Sequence, residues 1–134
     1  MHGNAGCKLE GESYAHLILP LGINLFSFDF SGCGNSEGEY VTLGGAKERG
    51  DLSTVVRYLR GLGTVGKIGL WGRSMGAATA IMYLPEDQHL DSPISAGVFD
   101  SSFTSVSDII DHIAKDQLRL HSAIAAIITL AVKA

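Results

Sequence analysis

The sequence predicts an α/β fold built on a mainly parallel sheet, and two observations carry that reading. Apolar, strand-like runs alternate with stretches of helical period, each long enough to cross from one strand to the next. A glycine-flanked serine also stands where one of those strands passes into a helix. The first run, GINLFSFDF at 22–30, is continuous in Ile, Leu and Phe and predicts a strand buried on both faces. KIGLWG (67–72) and ISAGVFD (94–100) predict two more, with 67–72 lying between the others. Between the first two, Leu52, Val55, Val56 and Leu59 fall at i, i+3, i+4 and i+7, predicting a helix with Arg57 and Arg60 on its other side. MGAATAIMYL, directly after Ser74, supplies the next helix. Upstream, CKLEGESYAHLILPLG (7–22) predicts a helix weakened by Gly11 and Pro20. The tail from Ser102 is again helical in pattern and opens on Ser, Thr and Asp residues suited to capping. Strand, helix, strand, helix, strand implies parallel pairing with right-handed crossovers.

Composition narrows the functional classes. The 134 residues suit one domain with one core, spanning 1–134. Ten basic against fourteen acidic residues give a net charge of −4. With no basic cluster, nucleic acid is not an expected partner. Cys7 and Cys33 are too few for a disulfide framework or a four-cysteine zinc site, and they fit a reducing, cytoplasmic setting. The most apolar stretch, AIAAIITLAV near the C-terminus, is about half the length of a membrane span. No transmembrane segment or leader is expected.

The chemistry centres on Gly72-Arg73-Ser74-Met75-Gly76, a G-x-S-x-G at a predicted strand-to-helix junction. A nucleophile elbow has this form, with small residues two positions either side of the serine so that strand and helix approach closely. The alternative is a serine that caps a helix after a glycine turn. Two loops bear on the choice. Met1-His2-Gly3-Asn4-Ala5-Gly6 precedes the first helix, and Asp29-Phe30-Ser31-Gly32-Cys33-Gly34-Asn35-Ser36-Glu37-Gly38 follows the first predicted strand. Either is also compatible with ordinary turn chemistry.

Taken in order, His-Gly-Asn-Ala-Gly, Asp-x-x-Gly-x-Gly-x-Ser, Gly-x-Ser-x-Gly and Val98-Phe99-Asp100-Ser101-Ser102-Phe103 resemble the landmarks of the α/β-hydrolase superfamily. The likeness is to its serine aminopeptidase-like and lysophospholipase-like esterase branch, over roughly residues 2 to 115. The resemblance implies a three-layer α/β/α fold and hydrolysis of esters or amides through an acyl-serine intermediate. It makes Ser74 the nucleophile and the Asn4 and Met75 N–H groups the oxyanion hole. His2, Gly3, Gly72 and Gly76 shape the motif. Small acyl esters, lipids or peptides are the implied substrates, and no metal or organic cofactor is needed.

The resemblance also implies a truncated fold, incomplete at both ends, because the family's triad acid and histidine follow strands beyond these landmarks. His2 belongs to the oxyanion motif, His16 and His89 stand in helix or loop contexts, and His112 and His121 lie in the tail. None is an evident base. Asp100, just past a parallel strand, is an acid candidate, with helix capping as its other reading. The chain alone is therefore expected to be inactive, and a catalytically inert interaction module on a hydrolase scaffold is the alternative function. Dinucleotide binding is a third class. Gly61-Leu62-Gly63-Thr64-Val65-Gly66 spells G-x-G-x-x-G, but a helix precedes it and a strand follows, so a helix stop explains it better. Gly32-Cys33-Gly34 has the right predicted context but carries Glu37 in place of the third glycine. Finally, unpaired edges bearing Ile23, Leu25, Phe26, Val98 and Phe99 predict self-association or poor solubility of the isolated chain, readable by light scattering.

Overall fold

The computed structural model describes residues 1–39, 41–88 and 93–103. The chain divides into two compact units, Met1–Ser102 and Phe103–Ala134. The predicted helical tail, with His112 and His121, lies outside the described residues, as does His89.

Among the described residues the first unit holds three α-helices and two strands. A 3-10 turn at Lys8–Gly11 leads into α1 (Glu12–Ile18), and a second 3-10 turn at Leu19–Leu21 closes it. The interruptions fall where the sequence places them: Gly11 precedes α1, and Pro20 stands in the closing turn before a left-handed Gly22 (φ 73°). Helix α2 (Ala46–Gly61) follows, then β1 (Gly69–Arg73), α3 (Met75–Asp87) and β2 (Ala96–Asp100). The two strands pair in parallel, from Gly69 opposite Ala96 to Arg73 opposite Asp100.

Side chains alternate across β1, and that alternation sorts the layers. Leu70 joins Leu52 and Val56 of α2 and Ala80 and Tyr83 of α3 in the buried core, with Phe28, Ile68, Leu84 and Ile94 packed around it. Trp71 points the other way and meets the Tyr14 ring of α1 at 4.6 Å between centroids. Helix α3 packs along both strands on one face, and α1 meets the other face at this ring contact, the layer order expected of an α/β/α fold. Met75 through Ala80 of α3 are all buried, and small residues at five of these six positions let the helix lie close against the strands.

Helix α2 starts without a side-chain cap on Gly45. Glu48, three residues in, turns back instead and accepts the Thr42 N–H (2.6 Å), the Thr42 hydroxyl and the Gly44 N–H (3.2 Å). Its burial is tolerable because of these donors; burial alone would raise the carboxyl pKa, and the Thr42 and Gly44 bonds hold it below its ordinary value. Residues 48, 52 and 56 are the buried stripe of α2. Arg60, one more step of four along, was expected on the outer side; it instead reaches the carboxylate of Asp87 at 3.0 Å. The helical period itself places it there.

The run at 22–30 is the main departure. It forms no strand among the described residues, and Ile23 and Phe26 are 54% and 50% exposed rather than buried. The edge of β1 that it was expected to join is occupied by Met1, whose amino group donates to Trp71 O (2.5 Å) and whose carbonyl accepts from the Arg73 N–H (3.2 Å). The run is instead tied by side chains: Ser27 Oγ donates to Lys8 O (2.6 Å), and Asp29 accepts the Lys8 N–H (2.6 Å). At the far side of the sheet every residue of β2 is exposed, including Val98 and Phe99.

Candidate active site

Ser74 follows immediately on β1 and immediately precedes α3. Its N–H donates to Asp100 O at 2.8 Å, carrying the parallel register one residue past the strands. Its backbone stands at φ 51°, ψ −113°, a conformation that non-glycine residues adopt at a cost of about 1–3 kcal/mol. A helix-capping serine sits in the β region and bonds its hydroxyl to the helix N–H groups; Ser74 makes no such bond. The capping alternative fails on both counts.

The flanking glycines are explained by the same turn. A Cβ on Gly72 would overlap the Gly76 carbonyl and lie 2.6 Å from Ala77 N. A Cβ on Gly76 would lie 2.6 Å from Met1 O and 2.8 Å from His2 O. The first contact lets strand and helix meet, and the second lets the N-terminal loop rest against the start of α3. Met75 is fully buried at the first position of that helix, where its N–H has no partner within the helix.

The N-terminal loop is a β-turn closed by the Gly6 N–H to Gly3 O at 3.1 Å, with Ala5 left-handed at φ 56°. Asn4 is at its exposed tip, and its N–H is not consumed by the turn bond. His2 is 2% exposed, and both ring nitrogens are engaged. Nε2 accepts the Phe30 N–H (3.2 Å), which places the ring proton on Nδ1, 2.8 Å from Gly3 O. Its ring also meets Phe30 edge-on. His2 is thus a structural tie between the turn and residue 30. His16 is exposed on α1.

The second loop closes around Asp29. Its carboxylate accepts the Asn35 N–H (3.0 Å) and pairs with Lys8 Nζ (3.3 Å), and Gly34, at φ 52°, has no room for a Cβ beside it. The Asn35 N–H leads in holding this carboxyl below its ordinary value, against the effect of burial. Ser31 fastens the loop to α2, its N–H and hydroxyl each donating to Asp51 at 2.8 Å. Among the described residues no helix follows Gly32-Cys33-Gly34 before α2 at Ala46, so no helix N-terminus is placed there to cradle a pyrophosphate. Gly61 ends α2 and Gly63 is left-handed at φ 68°, the helix stop expected. Burial raises the Cys33 thiol pKa, helped by the carboxylates of Glu48, Asp29 and Asp51, which disfavours its thiolate as a rival nucleophile.

Asp100 contributes its carbonyl to Ser74, while its exposed carboxylate accepts the Ser101 hydroxyl at 2.8 Å. Among the described residues no histidine is hydrogen-bonded to Ser74, no cluster of three or more His, Cys, Asp or Glu is placed to hold a metal ion, and no helix is long and apolar enough to cross a membrane. Sequence reasoning missed the ion pair between Arg73 and Glu10, two hydrogen bonds of 2.9 and 2.8 Å beside the turn. Its sole sequence signal is a charged residue inside the G-x-S-x-G, and nothing local names the partner 63 positions away.

A parallel pair of strands packed against α3, with a strained serine at a strand-to-helix elbow and a glycine turn against the helix start, defines a hydrolase-type scaffold. The chain belongs to the alpha/beta hydrolase fold family, whose sequence model matches residues 1–126. Over 83 residues it is 40% identical to the uncharacterized protein YqkD of Bacillus subtilis (strain 168), a stretch covering 61% of this chain and 27% of that protein. The chain thus spans little more than a quarter of the length of that curated relative. No solved structure matches it.

Proposed function

We propose that this chain carries the nucleophile and oxyanion elements of a serine hydrolase acting on acyl esters or amides. The observation that supports this above all is the backbone of Ser74, held at φ 51° with its hydroxyl unspent on capping. In the proposed reaction Ser74 Oγ bonds to the substrate carbonyl carbon as its proton passes to a general base. The Met75 and Asn4 N–H groups stabilise the resulting oxyanion. Collapse breaks the bond to the alcohol or amine, which leaves with a proton, and water then releases the acid from Ser74. Short acyl esters, lysophospholipids and peptides all present that carbonyl.

A catalytically inert module on the same scaffold is the second reading. It is favoured by the full engagement of His2, which leaves no described imidazole on Ser74. Without a base the serine keeps the weak nucleophilicity of an alcohol, and losing a triad member costs several powers of ten in rate. Labelling with a fluorophosphonate ester distinguishes the two. In the longest natural form of the protein the probe is expected to lose fluoride and bond to Ser74, and Ser74→Ala is expected to abolish the adduct. Equal labelling of the alanine variant would end the nucleophile assignment, and a silent Ser74 in the unsubstituted protein would favour the inert module.

A further inference from the structure

We infer that Glu10 and Arg73 are positioning residues: their ion pair clamps the Gly3–Gly6 turn so that the Asn4 N–H is held in place for the oxyanion. This rests on the reading of Ser74 as nucleophile and adds to it the device that fixes one arm of the hole.

The pair touches the turn at every point except its tip. Arg73 Nε and one terminal nitrogen donate to the two Glu10 oxygens at 2.9 and 2.8 Å, a bidentate fork. The guanidinium lies over Gly3, where an added Cβ would be 2.8 to 3.1 Å from its three nearest atoms. The Glu10 carboxylate lies against Gly6, where an added Cβ would overlap one of its oxygens and displace it. Meanwhile the backbone N–H of Arg73 holds Met1 O. The first and last residues of the turn are therefore each gripped, one by the cation and one by the anion.

That leaves Asn4 and Ala5 at the tip, with Ala5 left-handed. Arg73 is also the residue before Ser74, so the elbow reaches the turn through a side chain anchored one bond from the nucleophile. A preformed donor is effective because it needs no reorganisation as charge develops. Burial opposes the charged form of Glu10, but the bonds and charge of Arg73 and the Gly3 N–H outweigh it and keep the carboxylate ionised. Arg73 is correspondingly held above its ordinary value, led by the Glu10 bond.

The test measures fluorophosphonate labelling of Ser74 in the longest natural form of the protein, for Arg73→Met, Glu10→Ala and the double variant. The maximal labelling rate is expected to fall about 10- to 100-fold in each single variant, the range that misplacing one donor costs. The half-saturating probe concentration is expected to stay within about twofold, and the double variant to be no slower than either single one. A pair that only supported the fold would lower the melting temperature without that split. Should the truncations fail to fold, Glu10→Gln and Arg73→Lys carry the test, with the same split expected and a smaller loss of rate. Folded variants that label at the unsubstituted rate, or that weaken probe binding alone, overturn the clamp and leave the nucleophile assignment standing. Absence of a Ser74 adduct in the unsubstituted protein overturns both.

Discussion

Gly72→Ala is expected to destabilise the fold by about 3 kcal/mol, the upper end of the cost of overpacking, and to abolish labelling of Ser74. The added methyl would overlap the Gly76 carbonyl and lie 2.6 Å from Ala77 N, and these are backbone atoms with no rotamer to give way. Relief requires β1 and α3 to separate at the elbow, which also releases the strained serine. Gly50→Ala supplies the contrast. Position 50 is exposed inside α2, and its Cβ meets nothing within 4 Å, so the change is expected to stabilise by about 0.5–1 kcal/mol through helix propensity. Urea midpoints of the two variants, at equal slope, are expected to move in opposite directions. An unshifted midpoint in Gly72→Ala would mean that the elbow is looser than its packing implies.

Asp87→Ala is expected to cost about 3 kcal/mol, because it removes the buried acceptor of two donors and the carboxylate that pairs with the half-buried Arg60. Asp87 is 1% exposed. Its carboxylate accepts the Tyr83 hydroxyl (3.0 Å) and the Ile94 N–H (2.5 Å) and pairs with Arg60 (3.0 Å). It thereby ties α2, α3 and the approach to β2 together. Burial alone would raise its pKa, yet the Ile94, Tyr83 and Arg60 contacts together hold it below 3.8, and burial followed by the bond to Asp87 pushes Tyr83 up to about 12. The sign follows. A carboxyl lowered in the folded state adds stability that is complete above its unfolded value and is lost as the pH falls through the folded one. The difference between the parent and Asp87→Ala is therefore expected to be full at neutral pH and to shrink below 3.8. Asp87→Asn keeps an acceptor oxygen and is expected to lose less. Urea titrations at the two pH values measure all three, and a pH-independent difference would show that the carboxylate's charge contributes nothing.

Much of this molecule is set by local rules that one stretch of sequence contains. The apolar spacing of α2, the breaks at Gly11 and Pro20 and the parallel pairing of residues 96–100 with 69–73 follow from period, propensity and chain direction. The Gly72-Arg73-Ser74-Met75-Gly76 elbow is also local, since five consecutive residues specify its turn. Other features belong to contacts between distant segments, and no window of sequence contains them. Residues 22–30 have the composition of a buried strand, but a strand exists only with a backbone partner, and Met1 holds the edge they would have used. Arg60 reads as a surface charge until Asp87 is brought beneath it. His2 reads as a residue that shapes its loop, but the Phe30 N–H that its ring accepts lies 28 positions away and no local rule names it. The pairing of Glu10 with Arg73 depends on where the folded chain carries two residues 63 positions apart, and the side chains themselves encode nothing of that meeting.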